Sequence, residues 1–215
     1  FLATGEVATV VISYTVTDDA DNALTDTGTL TVTVTGANDG PVAVADSGQT
    51  TENAGVVIDV VANDEDADAS DVLSVSSVSV VSMTADATGA SIGLSSASVG
   101  FQGGRVTFDP GSDFDFLAAG ETATVVIQYT ATDDATNALS DTSTLTLTVS
   151  GANDAPVAVA DVAQTGEGSA ISVDVLANDS DPDADTLTIV SAVAQNGTVS
   201  INSDQTLAYT PKVGF

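Results

Sequence analysis

Carboxylates are the side chains in this sequence with chemistry to offer, and they are bunched rather than spread. They gather in "TDDADN" at Thr17 to Asn22, in "GAND" at Gly36 to Asp39, and in "NDEDADASD" at Asn63 to Asp71. Further groups follow at Asp133 and Asp134, at Asn153 and Asp154, and in "NDSDPDAD" from Asn178. Like charges crowded into one loop repel unless something neutralises them, and Arg105 and Lys212 are the sole basic residues. A hard dication answers this need. Calcium takes about six to eight oxygen ligands from carboxylates, amides and carbonyls, and it tolerates irregular loops better than magnesium does. In "DSDPDAD" the alternate residues Asp179, Asp181, Asp183 and Asp185 would point one way if the segment were extended, so several could converge on one ion. The competing reading is that Asp and Asn are ordinary turn residues that bond their own backbone. A turn needs one such residue, however, and these loops hold four.

The absent residues exclude other chemistries. There is no His and no Cys, so neither a zinc site nor the common nucleophile–base pairs can be built. Two carboxylates could cleave a glycoside, but sugar clefts usually need aromatic platforms, and the chain has no Trp and three Tyr. Those three, Tyr14, Tyr129 and Tyr209, fall within strand patterns and read as core. An enzyme is not expected. "GFQGG" around Phe101 reads as a loop and, with no helix after it, not as a phosphate cradle.

The elements that position the carboxylates come from a repeat. "GANDGPVAVAD" begins at Gly36 and "GANDAPVAVAD" at Gly151, 115 residues later, and the same shift lays "FLATGEVATVVISYTVTDD" on "FLAAGETATVVIQYTATDD". "DVVANDEDAD" and "DVLANDSDPD" keep that register, whereas "VTFDPGSDF" and "LAYTPKVGF" are 101 residues apart, so the last copy has shorter loops. Phe1 then corresponds to Phe116, and Phe215 to Phe114. With the boundary at the quoted block, residues 39–153 form one whole unit, 1–38 the end of a preceding one and 154–215 the start of a third. This phase reads as an excerpt of a longer array.

Within each unit the apolar residues alternate. Ala8, Val10, Ile12, Tyr14 and Val16 share one face, as do Ala123, Val125, Ile127, Tyr129 and Ala131. "TLTVTVTG" and "TLTLTVSG" place Leu30, Val32, Val34 and Leu145, Leu147, Val149 opposite threonines. A period of two with β-branched residues predicts half-buried strands facing inward. "VVIDVVAND", "AISVDVLAND", "VLSVSSV" and "TLTIVSAV" are further strand candidates, and no helical stripe occurs. Units of about 100 residues with short strands and Asp, Asn and Gly turns predict an all-β fold of tandem antiparallel Greek-key β-sandwiches.

The net charge of −29 and the pI near 4.1 repel nucleic acid and anionic membrane surfaces. A hydrophobic fraction of 43% is too high for a disordered acidic tail, and no apolar run approaches the ~18 residues of a membrane helix.

The order of "ENAG" at Glu52, an acidic "DxD" loop, the glutamate of "LAAGE", an alternating strand ending in "ATD" and a closing "ND-x-P" resembles the calcium-binding plan of cadherin-type domains. More closely it resembles the bacterial cadherin-like and VCBS-type repeats of giant secreted adhesins. "VLANDSDPDADTL" through "LAYTPKVGF" is similar to their Ig-like repeat. The resemblance covers essentially the whole chain and implies an extracellular or bacterial cell-surface protein of adhesion or biofilm, with interdomain calcium.

It implies that Asn38 and Asp39 are linker ligands at the first junction, and Asn153 and Asp154 at the second. From the upstream unit at the second junction it implies Glu52, Asp66, Asp68 and Glu121, with Asp64 in the same loop, and it implies the aspartate of "A-x-D" at Asp133 and Asp18. Asp179, Asp181 and Asp183 repeat the acidic loop in the third copy. Two departures stand out: "A-G-E" replaces the usual "D-x-E", leaving Glu6 and Glu121 without a neighbour, and "TGEGSA" places Glu167 differently from Glu52 in "TTENAG". One to three ions are expected at each junction.

Expected partners are neighbouring repeats of the same protein, homophilic or filament contacts, and a cell-surface or carbohydrate target, with no nucleic acid and no membrane insertion. Pro41 and Pro156, just after the linker aspartates, stiffen the connection. A second reading is a head-to-tail filament in which residues 154–215 of one copy and 1–38 of the next complete one sandwich by strand exchange.

Overall fold

A computed structural model describes residues 2–214. The alternating threonine and valine runs form strands. β1 (Val7–Thr17) and β2 (Thr25–Thr35) make an antiparallel hairpin paired from Val7↔Thr35 to Thr17↔Thr25.

Two sheets then face each other. One contains β3 (Asp46–Thr51), β5 (Ser74–Ala85), β8 (Thr122–Thr132) and β9 (Ser140–Ser150) in the order β3-β9-β8-β5. The other orders β4 (Val56–Asp59), β6 (Ser98–Gln102) and β7 (Arg105–Asp109) as β4-β7-β6. The last part of the chain holds β10 (Ile171–Val173), β11 (Gly197–Ile201) and β12 (Leu207–Pro211), ordered β10-β12-β11. The architecture is all-β, with the central unit a sandwich of two facing sheets.

The inward faces of β8 and β9 are as the alternation predicts: Ala123, Val125, Ile127, Tyr129, Ala131, Leu145, Leu147 and Val149 are all fully buried. Opposite them lie Val60, Val106, Phe108 and Phe114, with the two phenylalanine rings edge to face at 5.9 Å. Phe215, the predicted counterpart of Phe114, and Phe1, that of Phe116, lie outside the described residues.

Several expectations are corrected. β3 pairs with β9 in parallel, from Asp46↔Leu145 to Thr51↔Ser150, whereas every other ladder of the central unit is antiparallel. "TLTIVSAV" forms no strand, although its counterpart is β5. β5 owes its ladder to β8, and no strand lies beside 186–193 among the described residues. Phe101 is not in a loop but on β6, half-exposed, with the turn falling at Gly103 and Gly104. β1 forms as predicted; Val10, Ile12 and Tyr14 are exposed, and the Tyr14 ring lies across Gly28. Tyr209 is partly buried, and its hydroxyl donates to Asn196 O at 3.3 Å.

The strand path positions the acidic loops. β3 runs alongside the second half of β9, so Glu52 ends beside the exit of β9, where its amide donates to Ser150 O at 3.0 Å. β4 runs back, which returns the loop Asn63–Asp71 to the end where the chain enters. Gly36 and Gly151 let the linkers leave close to the preceding loop. A Cβ on Gly36 would lie 2.2 Å from Leu2 O, and one on Gly151 2.1 Å from Leu117 O.

Candidate metal centre

At the entry end, the backbone amide of Asp39 donates to Asp68 Oδ2 at 2.8 Å, and the Asn38 side-chain amide donates to Asp133 Oδ2 at 3.1 Å. Asp66 Oδ1 accepts the amide of Asp68 at 2.8 Å, which folds the "DxD" into a tight loop. Asp66, Asp71 and Asp133 each bring a carboxylate oxygen within 4.8 Å of the others. Asp68 and Asp133 are 1% and 4% exposed, an unusual depth for carboxylates with no cationic partner. The one ion pair among the described residues joins Arg105 to Asp59 elsewhere, at the surface.

The exit end repeats the plan. The amide of Asp154 donates to Asp183 Oδ2 at 2.7 Å, and Asp181 Oδ1 accepts the amide of Asp183 at 3.0 Å. Asp181, Asp183 and Asp185 form a second group of oxygens within 4.8 Å. Glu52, 1% exposed, closes this end by accepting the amide of Ala152 at 2.7 Å.

Oxygens without partners mark where a cation would fit. Asn38 Oδ1, Asp66 Oδ2, Asp68 Oδ1 and Asp71 Oδ2 at the entry end are buried and accept no hydrogen bond. So are Glu52 Oε2, Asp154 Oδ2 and Asp183 Oδ1 at the exit end. Leaving a buried acceptor unsatisfied costs about 1–3 kcal/mol, and more if it is charged. The donor set is wholly oxygen, which suits a hard dication and not zinc.

Titration follows the same geometry. Burial and then the charges of Asp66, Asp68 and Asp133 raise the Asp71 carboxyl above its usual range. Burial, opposed by the bond from Ala152 and reinforced by Asp154 and Asp183, raises Glu52. Burial raises Asp154 as well, and the charges of Asp183, Asp115 and Asp181 add to the rise. Asp133 goes the other way: burial raises it, but the amides of Leu139, Asn38 and Ala135 outweigh burial and leave it lowered.

Some predicted residues stand elsewhere. Asp66 and Asp68 gather with Asn38 and Asp39 at the first junction rather than with Glu52 at the second, because β3 and β4 carry them to opposite ends. Asp64 and its counterpart Asp179 each accept a backbone amide, from Val44 and Val159, at 2.7 Å, and Asp64 lines one cavity with Asp66, Asp68 and Asp71, its Oδ2 buried without a partner. The segment around Asp181 is a turn, with Ala184 at φ 58°, so Asp179 does not join Asp181 and Asp183 as an extended strand would have it.

Glu121 and Glu6 are tied to their own loops, accepting the amides of Ala118 at 3.3 Å and Ala3 at 3.1 Å. Asp18 repeats the local bonds of Asp133, to the amides of Ala20 and Leu24, at an exposed position. Glu167 occupies the register of Glu52 after all, since Thr50 and Thr165 both donate to the carbonyl four residues on; Glu167 accepts the amide of Gly214 at 2.5 Å. The side-chain amide of Asn153 donates to Asp154 O at 2.8 Å.

Asp71 closes the run Asn63–Asp71 but was not singled out as a ligand, and it stands with Asp66 and Asp133.

Fold and site together define a tandem β-sandwich repeat protein with acidic junctions. Residues 38–151 match the bacterial cadherin-like domain family and residues 153–215 the bacterial Ig domain family. The chain belongs to the bacterial cadherin-like family, with an Ig-like unit following. Cadherin-like and Ig-like domains in tandem place the chain among extracellular, cell-surface repeat proteins. No helix among the described residues is long and apolar enough to cross a membrane.

Among solved structures, the chain is similar to a protocadherin gammaB7 EC3-6 cis-dimer, at 19% identity over 95% of this chain and 51% of that one, with a TM-score of 0.44. It is also similar to the protocadherin GammaB4 extracellular domain, at 19% identity over 95% and 34%, with a TM-score of 0.41. The chain thus spans about half the length of the first of these, and a third of the second. No curated protein matches it.

Proposed function

We propose that this chain is a calcium-stiffened segment of a large bacterial surface adhesin, in which residues 1–38, 39–153 and 154–215 belong to successive repeats. The single observation that supports the reading most is the paired geometry of the two junctions. At each, a linker aspartate amide is fixed to the second aspartate of the "DxD", and buried carboxylate oxygens around it lack any partner.

Asn38, Asp66, Asp68, Asp71 and Asp133 would hold calcium at the first junction, and Glu52, Asp154, Asp181 and Asp183 at the second. Bound there, the ion supplies positive charge that offsets carboxylate repulsion. The residues contribute the mechanics. Asp39 and Asp154 belong to linkers, Asp68 and Asp183 to the unit that follows, and Glu52 to the unit that precedes. At the second junction, ligands drawn from both sides of the linker hold the two sides at one angle. Pro41 and Pro156 limit the linker before any ion arrives.

Binding to native loops also stabilises the native state by mass action. The resulting rod serves adhesion or biofilm directly, or extends a distal domain toward a cell-surface or carbohydrate target.

Calorimetric titration of residues 1–215 with calcium tests this, with magnesium as control. The reading expects saturable calcium binding with one to three ions per junction and a higher melting temperature. Heats no larger than dilution would overturn it.

A further inference from the structure

We propose that Asp64 and Asp179 are positioning residues: each clamps a linker to the unit that follows it, without calcium, and so confines bending at the second junction to Asn153.

The clamp has three points. The amide of Asp39 donates to Asp68 Oδ2 at 2.8 Å, that of Val42 to Glu65 O at 2.7 Å, and that of Val44 to Asp64 Oδ1 at 2.7 Å. Glu65 returns a bond from its own amide to Val42 O at 3.2 Å. Residues 39–44 therefore lie along residues 64–68 as one antiparallel bridge with a carboxylate holding each end. Pro41 falls between the points and has no amide to leave unpaired. Amides bonded to ionised carboxylates are the stronger class of hydrogen bond, and none of these bonds needs an ion.

The next linker repeats the arrangement. The amide of Asp154 donates to Asp183 Oδ2 at 2.7 Å, that of Val157 to Ser180 O at 2.8 Å, and that of Val159 to Asp179 Oδ1 at 2.7 Å. The middle contact is backbone to backbone, so Glu65 and Ser180 can differ. The outer two contacts need a side-chain acceptor, and both are Asp in each linker. In the central unit the clamp is also tied to the core: the hydroxyl of the fully buried Tyr129 lies 3.2 Å from Asp64 Oδ1 and 2.7 Å from Val44 O.

On the upstream side, the amide of Gly151 donates to Glu121 O at 3.0 Å and that of Ala152 to Glu52 Oε1 at 2.7 Å. Asn153 stands between two amides fixed to opposite units, and its side-chain amide turns back to Asp154 O within the linker. Resting on the calcium reading above, Glu52 on one side of Asn153 and Asp154 and Asp183 on the other leave the ion little more than one residue's dihedrals to freeze. Few dihedrals mean little conformational entropy to lose on binding.

Nuclear magnetic resonance of residues 1–215 in chelator, reading amide exchange and order parameters residue by residue, tests the inference. The amides of Asp39, Val42, Val44, Asp154, Val157 and Val159 should stay protected, with order parameters of about 0.85, while Asn153 falls below about 0.6. Asp64→Ala should speed exchange at Asp39 and Val42, whose own acceptors remain, on the order of tenfold. Val157 and the core amides of Val125 and Leu147 should not change. Asp179→Ala should act on Asp154 and Val157 instead. Asp64→Asn keeps a carbonyl for Val44 and should leave the first linker slow. Wild-type linkers that lose protection in chelator, an Asp64→Ala variant with Asp39 and Val42 unchanged, or Asp64→Asn loosening the linker as much as Asp64→Ala would each overturn it. Every arm is read without calcium, so failure of the clamp is separable from failure of calcium binding.

Discussion

The backbone amide of Ala152 donates to Glu52 Oε1 at 2.7 Å, joining the end of β3 to the linker that leaves β9 a hundred residues later. Glu52 Oε2, beside it, is buried and accepts nothing. One oxygen of this carboxylate is therefore structural and the other is free for a ligand. Glu52→Gln keeps a carbonyl for Ala152 and removes the charge. Calcium affinity at the second junction should fall by roughly tenfold, about 1.4 kcal/mol, with the first junction unchanged. Calorimetry resolving two classes of site checks this, and equal losses at both would contradict the assignment.

Asp68 and Asp183 should behave as a pair. Each accepts the amide of a linker aspartate through one oxygen and holds the other buried without a partner. Asp68→Ala should loosen the first linker even in chelator, while Asp183→Ala should do so at the second. Hydrogen exchange at the amides of Asp39 and Asp154 reads the difference. Faster exchange at the linker facing the substitution, and not at the other, is the expected pattern.

The Tyr129 hydroxyl lies within hydrogen-bond distance of four oxygens and carries one proton to donate among them. Tyr129→Phe leaves the ring in the core but strips a proton from Val44 O, Asp46, Val60 O and Asp64. A loss of about 1–3 kcal/mol in unfolding free energy is expected, measured by urea denaturation in chelator. A neutral substitution would mean that water replaces the phenol without cost.

Asp46 gives a pH dependence of defined sign. Burial raises its carboxyl above 3.8, the bond from Tyr129 opposes this, and the charge of Asp64 adds to the rise. A raised folded-state value means that the native protein holds the proton more tightly than the unfolded chain does. Its contribution to stability is complete below pH 3.8 and is lost as pH rises through the folded value. Asp46→Asn cannot ionise, so the variant should gain melting temperature over wild type at pH 7, and the gain should shrink toward pH 3.5. A gain that grows on acidification would reverse the sign.

Much of the fold was written in alternation. The inward positions of β8 and β9 could be read residue by residue because a strand with one buried face has a period of two, and Tyr129 and Leu147 obey it. "TLTIVSAV" failed as a strand because a strand is defined by its neighbour.

In the acidic loops, residue type was informative and placement was not. Asp66 and Asp68 were recognisable as a ligand pair, but assigning them to the first junction needed the reversal between β3 and β4. Asp71 lay in the same acidic run, but its place as a partner of Asp66 and Asp133 came from the fold.

The most direct measurement is an anomalous difference map from crystals of residues 1–215 grown in calcium. Density peaks coordinated by Asp66, Asp71 and Asp133 at one junction, and by Glu52, Asp154 and Asp183 at the other, are predicted. A well-ordered map with these carboxylates turned to solvent and no peak at either junction would contradict the account.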